Sequence, residues 1–247
     1  MCTVTIIPMA KGGYRLARNR DEQRNRPVAT RSQVHGHKGL QAIHPTDPDE
    51  GTWIAVNEAG VSLTLMGAYP DEMTATKRSR RHFHDIIPKF IHHLAADEAL
   101  SQVKKDLKFS QYAPFLLIGV DAGGVRSLVW DGVNNDMKIT RHTISRCPLF
   151  TCSTLGDAAV KEARENLFGA MLRKSPNPQK QDAFHSHQWP SQPSISVCME
   201  RDDARTVSYG IISVLSDSIS MLYHDGMPNR QAPESELVLP RVTDAVA

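Results

Sequence analysis

The chain has 247 residues, 40% of them hydrophobic and 23% charged, with a formal net charge of +2. That is the composition of an ordinary globular protein long enough for a large core, and it gives no electrostatic case for a nucleic-acid or anionic-membrane partner. No apolar run approaches the roughly 20 residues that span a bilayer, and the start lacks a basic segment followed by an apolar one, so a cytoplasmic protein without a membrane span is expected.

The opening "MCTVTIIP" sets a cysteine at the head of a β-branched run. Thr3 to Ile7 reads as a strand, Lys11-Gly12-Gly13 as a turn, and Tyr14 to Ala17 as the returning strand. The charged stretch Arg18 to Pro27 reads, on composition alone, as a solvated loop. Hairpin geometry argues against that. A two-residue loop at Lys11-Gly12 sets Cys2 opposite Asp21, and one at Gly12-Gly13 sets Asp21 diagonal to it. Either register brings a carboxylate to Cys2 and leaves Arg18 on the other face.

A second hairpin is predicted from Trp53–Val56 and Val61–Met66, joined by Asn57 to Gly60. From about Ser79, the residues Phe83, Ile86, Ile87, Phe90, Ile91 and Leu94 recur at helical steps. Pro88 must kink that helix or sit in its first turn. Glu98 to Leu107 reads as a second short helix. Strands are expected at Phe115–Val120, Val125–Trp130 and Leu149–Cys152, and a helix within Gly156 to Lys174. Ser175 to Pro193 reads as a long loop with room for a helical turn. Strands at Ile195–Met199, Thr206–Val214 and Ser218–Tyr223 complete the pattern, with an irregular tail after Pro228. Strand blocks separated by two helical blocks imply an α+β fold with helices packed on stacked antiparallel sheets, as a single domain over residues 1–247.

Cys2 is the chemical candidate. If Met1 is removed, thiol and free α-amine share one residue, with reference pKa values near 8.5 and about 7.7–8.0: a nucleophile carrying its own base. Cys147, Cys152 and Cys198 read as structural thiols, and four cysteines do not make a secreted disulfide scaffold. Histidines pair as His35/His37, His82/His84, His92/His93 and His185/His187. H-x-H on a strand puts both rings on one face, but in a helix the pair diverges by roughly 200°. No HExxH or CxxC spacing occurs, so neither a metal nor a cofactor is expected. The basic run Lys77, Arg78, Arg80, Arg81 reads as a solvated helix flank, since no P-loop or GxGxxG accompanies it.

Asn19-Arg20-Asp21-Glu22, about twenty residues after Met-Cys, together with "GTWIAVNEAGVSLTLMGAYP", resembles the NRDE family, which includes transport and Golgi organisation protein 2. The start "MCTVTII…ARNRD" is also similar to the choloylglycine hydrolase and penicillin V acylase group. The resemblance implies an N-terminal-nucleophile fold, a four-layer αββα sandwich with two antiparallel sheets. It implies catalytic roles for Cys2, Arg18, Asp21 and, as the late arginine before a strand, Arg205. Asn19, Gly67 and Thr154 are the implied substrate-binding positions. At Gly67 and Thr154 this chain departs from relatives that carry asparagine, a side chain suited to an oxyanion hole. Two functions follow: a cysteine amidohydrolase acting on a small amide through an acyl-thioester, or a non-catalytic carrier of a hydrophobic small molecule such as haem or lipid. The partner implied is a small-molecule substrate or a hydrophobic ligand, with homo-oligomer formation left open.

Overall fold

The computed structural model describes residues 2–69, 82–133 and 137–242. Met1, the basic run 77–81 and the predicted helix start at 79 lie outside the described residues. The β-branched opening forms β1 (Cys2–Pro8), which returns as β2 (Tyr14–Gln23). These pair as Cys2 with Arg20, Thr3 with Asn19 and Val4 with Arg18, a register matching neither expectation. The cause is the connection. Ala10–Gly12 forms a turn of 3-10 helix with Lys11 at φ 54° and Gly12 at φ 77°, closed by the Met9 N–H to the Gly13 carbonyl at 2.8 Å. A connection of this length slips the ladder by an odd step, which turns every side chain of β2 to the other face. Arg18 therefore joins Cys2 on one face, and the Asp21 side chain leaves it.

β1 and β2 are the second and third strands of a six-stranded antiparallel sheet that also holds β10 (Leu149–Cys152), β11 (Ala204–Val214), β12 (Ser218–His224) and β13 (Glu234–Pro240), in the order β10-β1-β2-β11-β12-β13. A seven-stranded antiparallel sheet stacks on it, made in sequence order of β3 (Thr30–His37), β4 (Leu40–Thr46), β5 (Ile54–Asn57), β6 (Ser62–Gly67), β7 (Phe115–Asp121), β8 (Gly124–Trp130) and β9 (Ile139–His142). Val4, Ile6, Leu16, Trp53, Ile118 and Ile212 are among the side chains that fill the space between the sheets. The outer face of the larger sheet carries α1 (Ile86–Phe90) and α2 (Ala96–Asp106), and that of the smaller carries α3 (Ala158–Met171) and α4 (Pro178–His185). The result is the expected αββα layering.

Several local expectations are corrected. The helix expected through Leu94 is a 3-10 turn at Phe83–Asp85 followed by the five residues of α1, with Pro88 in its first turn. Residues 195–199 make no strand, because side chains capture their carbonyls: Arg164 takes those of Ile195 and Ser196, and Asn19 takes that of Val197. The tail holds β13, an edge strand whose Leu237 and Leu239 pack toward the inter-sheet core while glutamates alternate outward. The Thr30–Thr46 hairpin and β9 had no counterpart in the sequence reading. Lys38-Gly39, with φ values of 45° and 92°, makes the tight turn of that hairpin.

Candidate active site

Cys2 starts β1 between two cross-strand neighbours, Cys152 on β10 and Arg20 on β2. Directly opposed residues of an antiparallel ladder share a face. All three side chains thus point toward the inter-sheet space, where a cavity of about 530 Å³ opens beside Cys2. Arg18, diagonal to Cys2 on the same face, donates from Nη2 to Cys2 Sγ at 3.1 Å. Its Nη1 is fixed by the Trp53 carbonyl at 2.6 Å and by the Thr64 hydroxyl, which itself donates to Trp53 at 3.0 Å. Arg18 is 3% exposed, and these bonds hold its guanidinium against the sulfur.

These contacts set the thiol's acidity. Hydrogen bonding from the Cys152 thiol, the Arg18 charge and the Asp21 backbone N–H hold the Cys2 thiol well below its ordinary value, outweighing the opposing effect of burial. Cys152 moves the other way, because it is the donor of the pair and is buried. Of the two, Cys2 is the more acidic thiol and Cys152 the one that holds its proton.

The cavity wall continues along β2. Arg20 sits over the Trp53 indole, its guanidinium carbon 3.8 Å from the ring centroid. Glu22 bridges Arg20 at 3.5 Å and Arg26 at 3.2 Å. His82 and His84 form another part of the wall, with centroids 4.0 Å apart, edge to face. The expected helical divergence fails here because His82 has extended backbone ahead of the 3-10 turn. Burial drives the His84 pKa down to about 3, so the neutral ring meets Asp47 Oδ2 from Nδ1 at 2.6 Å. Tyr69 closes the cavity near both thiols, and burial raises its hydroxyl above the ordinary value, so it stays a proton donor.

The structure separates the predicted residues into groups. Cys2, Arg18, Asp21, Gly67 and Thr154 line the cavity. Asp21 does so from the opposite face of β2: its Oδ1 accepts from the Thr206 hydroxyl at 2.7 Å, and burial raises its carboxyl above the usual range. A Cβ at Gly67 would lie 2.6 Å from the Tyr69 hydroxyl oxygen, so an asparagine there collides with Tyr69 as it stands. Thr154 sits at the mouth, taking a bond from Arg201 at 3.2 Å. Asn19 points away from the cavity: its Nδ2 donates to the His185 and Val197 carbonyls, both at 2.9 Å, which ties α4 to the sheet. Arg205 is exposed, pairs with Glu22 in the ladder and borders a neighbouring cavity of about 290 Å³ rather than that of Cys2.

Sequence reasoning missed Cys152, Tyr69, Arg20 and Glu22. The tetrad Asn19-Arg20-Asp21-Glu22 contained two of them, and alternation along a strand would have set Arg18, Arg20 and Glu22 on one face. His35, His37 and His44 also gather: the His35 and His44 rings stack at 3.9 Å, and the His37 and His44 Nε2 atoms approach to 3.1 Å. Among the described residues, no three His, Cys, Asp or Glu side chains converge as a metal site.

The chain matches the Transport and Golgi organisation 2 family over residues 1–200. It belongs to that family. No curated protein matches it. Penicillin V acylase from Agrobacterium tumefaciens is similar in structure, with a TM-score of 0.53 at 12% identity over 91% of this chain and 83% of the acylase. A mutant of the conjugated bile acid hydrolase from Clostridium perfringens is similar at a TM-score of 0.51 and 12% identity, covering 96% of this chain and 92% of the hydrolase. At such identity the likeness is one of fold: this Transport and Golgi organisation 2 family chain shares the layered fold of those two proteins. Among the described residues no helix is long and apolar enough to cross a membrane.

Proposed function

We propose that this chain is a cysteine amidohydrolase that, after loss of Met1, cleaves a small amide through an acyl-thioester on Cys2. The observation that carries the reading is the Arg18 guanidinium, fixed 3.1 Å from Cys2 Sγ at the wall of an open cavity. In this mechanism the thiolate attacks the amide carbonyl, and the Cys2 α-amine passes a proton to the leaving nitrogen. Asp21 follows Arg20, the ladder partner of Cys2, and its backbone N–H bonds the Cys2 sulfur, so in this mechanism its carboxylate orients the freed amine. Tyr69 is the candidate donor to the tetrahedral oxyanion, in the place an asparagine at position 67 would otherwise serve. Water then hydrolyses the thioester. Thr154 contacts substrate at the mouth, while Asn19 and Arg205 act outside the reacting centre. Residues 1–247 are taken as one domain in this reading.

A carrier of a hydrophobic small molecule such as haem or lipid is the second reading, favoured by the family's association with transport. The arginines and histidines along the cavity suit an apolar cargo less well than a polar substrate. Intact-protein mass spectrometry before and after a brief iodoacetamide pulse at neutral pH separates the two. Loss of the Met1 mass with rapid single alkylation at Cys2 supports the hydrolase. Retained Met1, or a Cys2 that reacts like an ordinary thiol, removes it and leaves the carrier.

A further inference from the structure

We infer that Cys2 and Cys152 are a site of reversible oxidative modification, closed by a hydroperoxide into a cross-strand disulfide that takes the Cys2 nucleophile out of action. The inference rests on the reading of Cys2 as an activated thiolate. The two residues are direct partners in the β1–β10 ladder, and both side chains belong to the inter-sheet core. Directly opposed antiparallel residues have Cα atoms about 4.5–5.5 Å apart, inside the range of about 4.4–6.8 Å that a disulfide spans. Their side chains leave the same face of the ladder and so face each other across the strands, and the Cys152 thiol is the group that most favours ionisation at Cys2. Closure therefore needs side-chain rotation and no rearrangement of the sheet.

The pair also divides the labour of the reaction. Cys2, beside Arg18, supplies the thiolate that attacks the oxidant, and the cavity admits a molecule as small as hydrogen peroxide to it. Attack on one peroxide oxygen breaks the O–O bond, leaves a sulfenic acid on Cys2, and releases hydroxide, which is protonated to water. The Cys152 sulfur then attacks the Cys2 sulfur. The S–O bond breaks, the S–S bond forms, and the departing hydroxide takes the Cys152 proton as a second water. Two thiols lose two electrons and one peroxide becomes two waters. The other cysteines are placed elsewhere. Cys147 packs with Phe168 and Phe184 under the helices, and burial pushes the Cys198 thiol up to about 12, leaving little thiolate.

The test treats the full chain with stoichiometric hydrogen peroxide, blocks remaining thiols with N-ethylmaleimide and maps the peptides. The expected product is a Cys2–Cys152 cross-link with the loss of two hydrogens. Cys2 alkylation by iodoacetamide should fall at least about tenfold and return with dithiothreitol. In Cys152→Ser, where no second thiol intercepts the sulfenic acid, two equivalents of peroxide should instead drive Cys2 to sulfinic acid, which dithiothreitol does not reverse. A fast-alkylating Cys2 that forms no cross-link in the wild-type chain overturns the inference and leaves the hydrolase reading standing. A cross-link at a Cys2 no faster than an ordinary thiol supports the pair and removes the hydrolase. Equal, fully reversible loss of Cys2 labelling in wild type and Cys152→Ser also overturns it.

Discussion

Replacing Arg18 tests whether the cation at 3.1 Å, rather than the N-terminal position alone, makes Cys2 reactive. A unit charge pair at that separation in an effective dielectric near 20 interacts by about 5 kcal/mol, which is a ceiling because both groups are desolvated. Hydrogen bonds to charged groups contribute about 1.5–3 kcal/mol net, so Arg18→Met should reduce the thiolate population roughly 10- to 150-fold at pH 7. A more basic thiolate is the better nucleophile, with a Brønsted slope of about 0.4–0.5, so alkylation should slow by only about 3- to 20-fold. The gap should close as pH rises and the thiolate forms unaided. Arg18→Lys, keeping the charge without the fixed fork, should fall between. The assay is the pseudo-first-order rate of iodoacetamide addition at Cys2, read by intact mass from pH 5.5 to 9. Thr64 still donates to the Trp53 carbonyl at 3.0 Å when Arg18 is gone, so a folded variant is expected, and its melting transition checks this. A folded Arg18→Met chain with the wild-type rate and pH profile would refute the electrostatic account.

Three further outcomes are expected. Asp21→Asn should keep the fold, since the amide can still accept from Thr206, but should slow alkylation of Cys2; unchanged kinetics would deny Asp21 its part in orienting the amine. Tyr69→Phe should lower turnover of any small amide that acylates Cys2 by about 10²–10³, while alkylation stays near wild type; a loss of both would point to a structural role. Burial drives His84 to about 3 and His44 to about 4, below the unfolded value near 6.5. Between those limits the unfolded chain binds protons that the folded chain refuses, so stability is full above about pH 6.5 and falls as pH drops toward 4, each histidine adding up to about 1.4 kcal/mol per pH unit. Asp21, whose carboxyl burial raises, opposes this at the acidic end. Urea titrations from pH 7.5 to 4.5 should show the decline, and a flat profile would contradict it.

Layering and hairpin order were legible because periodicity reports burial: Val61–Met66 and Phe115–Val120 are apolar runs bounded by turn residues, and both became strands of the larger sheet. Register was not legible, because it depends on backbone torsions of the connection. Lys11 in a left-handed conformation is a choice no composition rule anticipates, and one odd step of slip exchanged Arg18 and Asp21 between faces. The same limit hid Cys152. Its place opposite Cys2 joins residues 150 positions apart through a pairing that only the assembled sheet defines.

The charged stretch after Ala17 shows why composition misleads at a site of this kind. As solvent-exposed side chains, Arg18, Arg20 and Glu22 would contribute little to stability. Within the fold, Arg18 and Arg20 are at most 5% exposed, so each needs a partner fixed in place. Arg18 finds carbonyl, hydroxyl and the Cys2 sulfur, whereas Arg20 has an aromatic face on one side and a Glu22 contact of 3.5 Å, a carboxylate it shares with Arg26. One carboxylate serving two guanidiniums leaves positive charge at the cavity wall. That surplus favours the anionic form of the groups around it, and the thiol of Cys2 is one of them. The charged run thus joins Cys152 in making a buried cysteine acidic, and it can do so only because strand pairing carries it out of water.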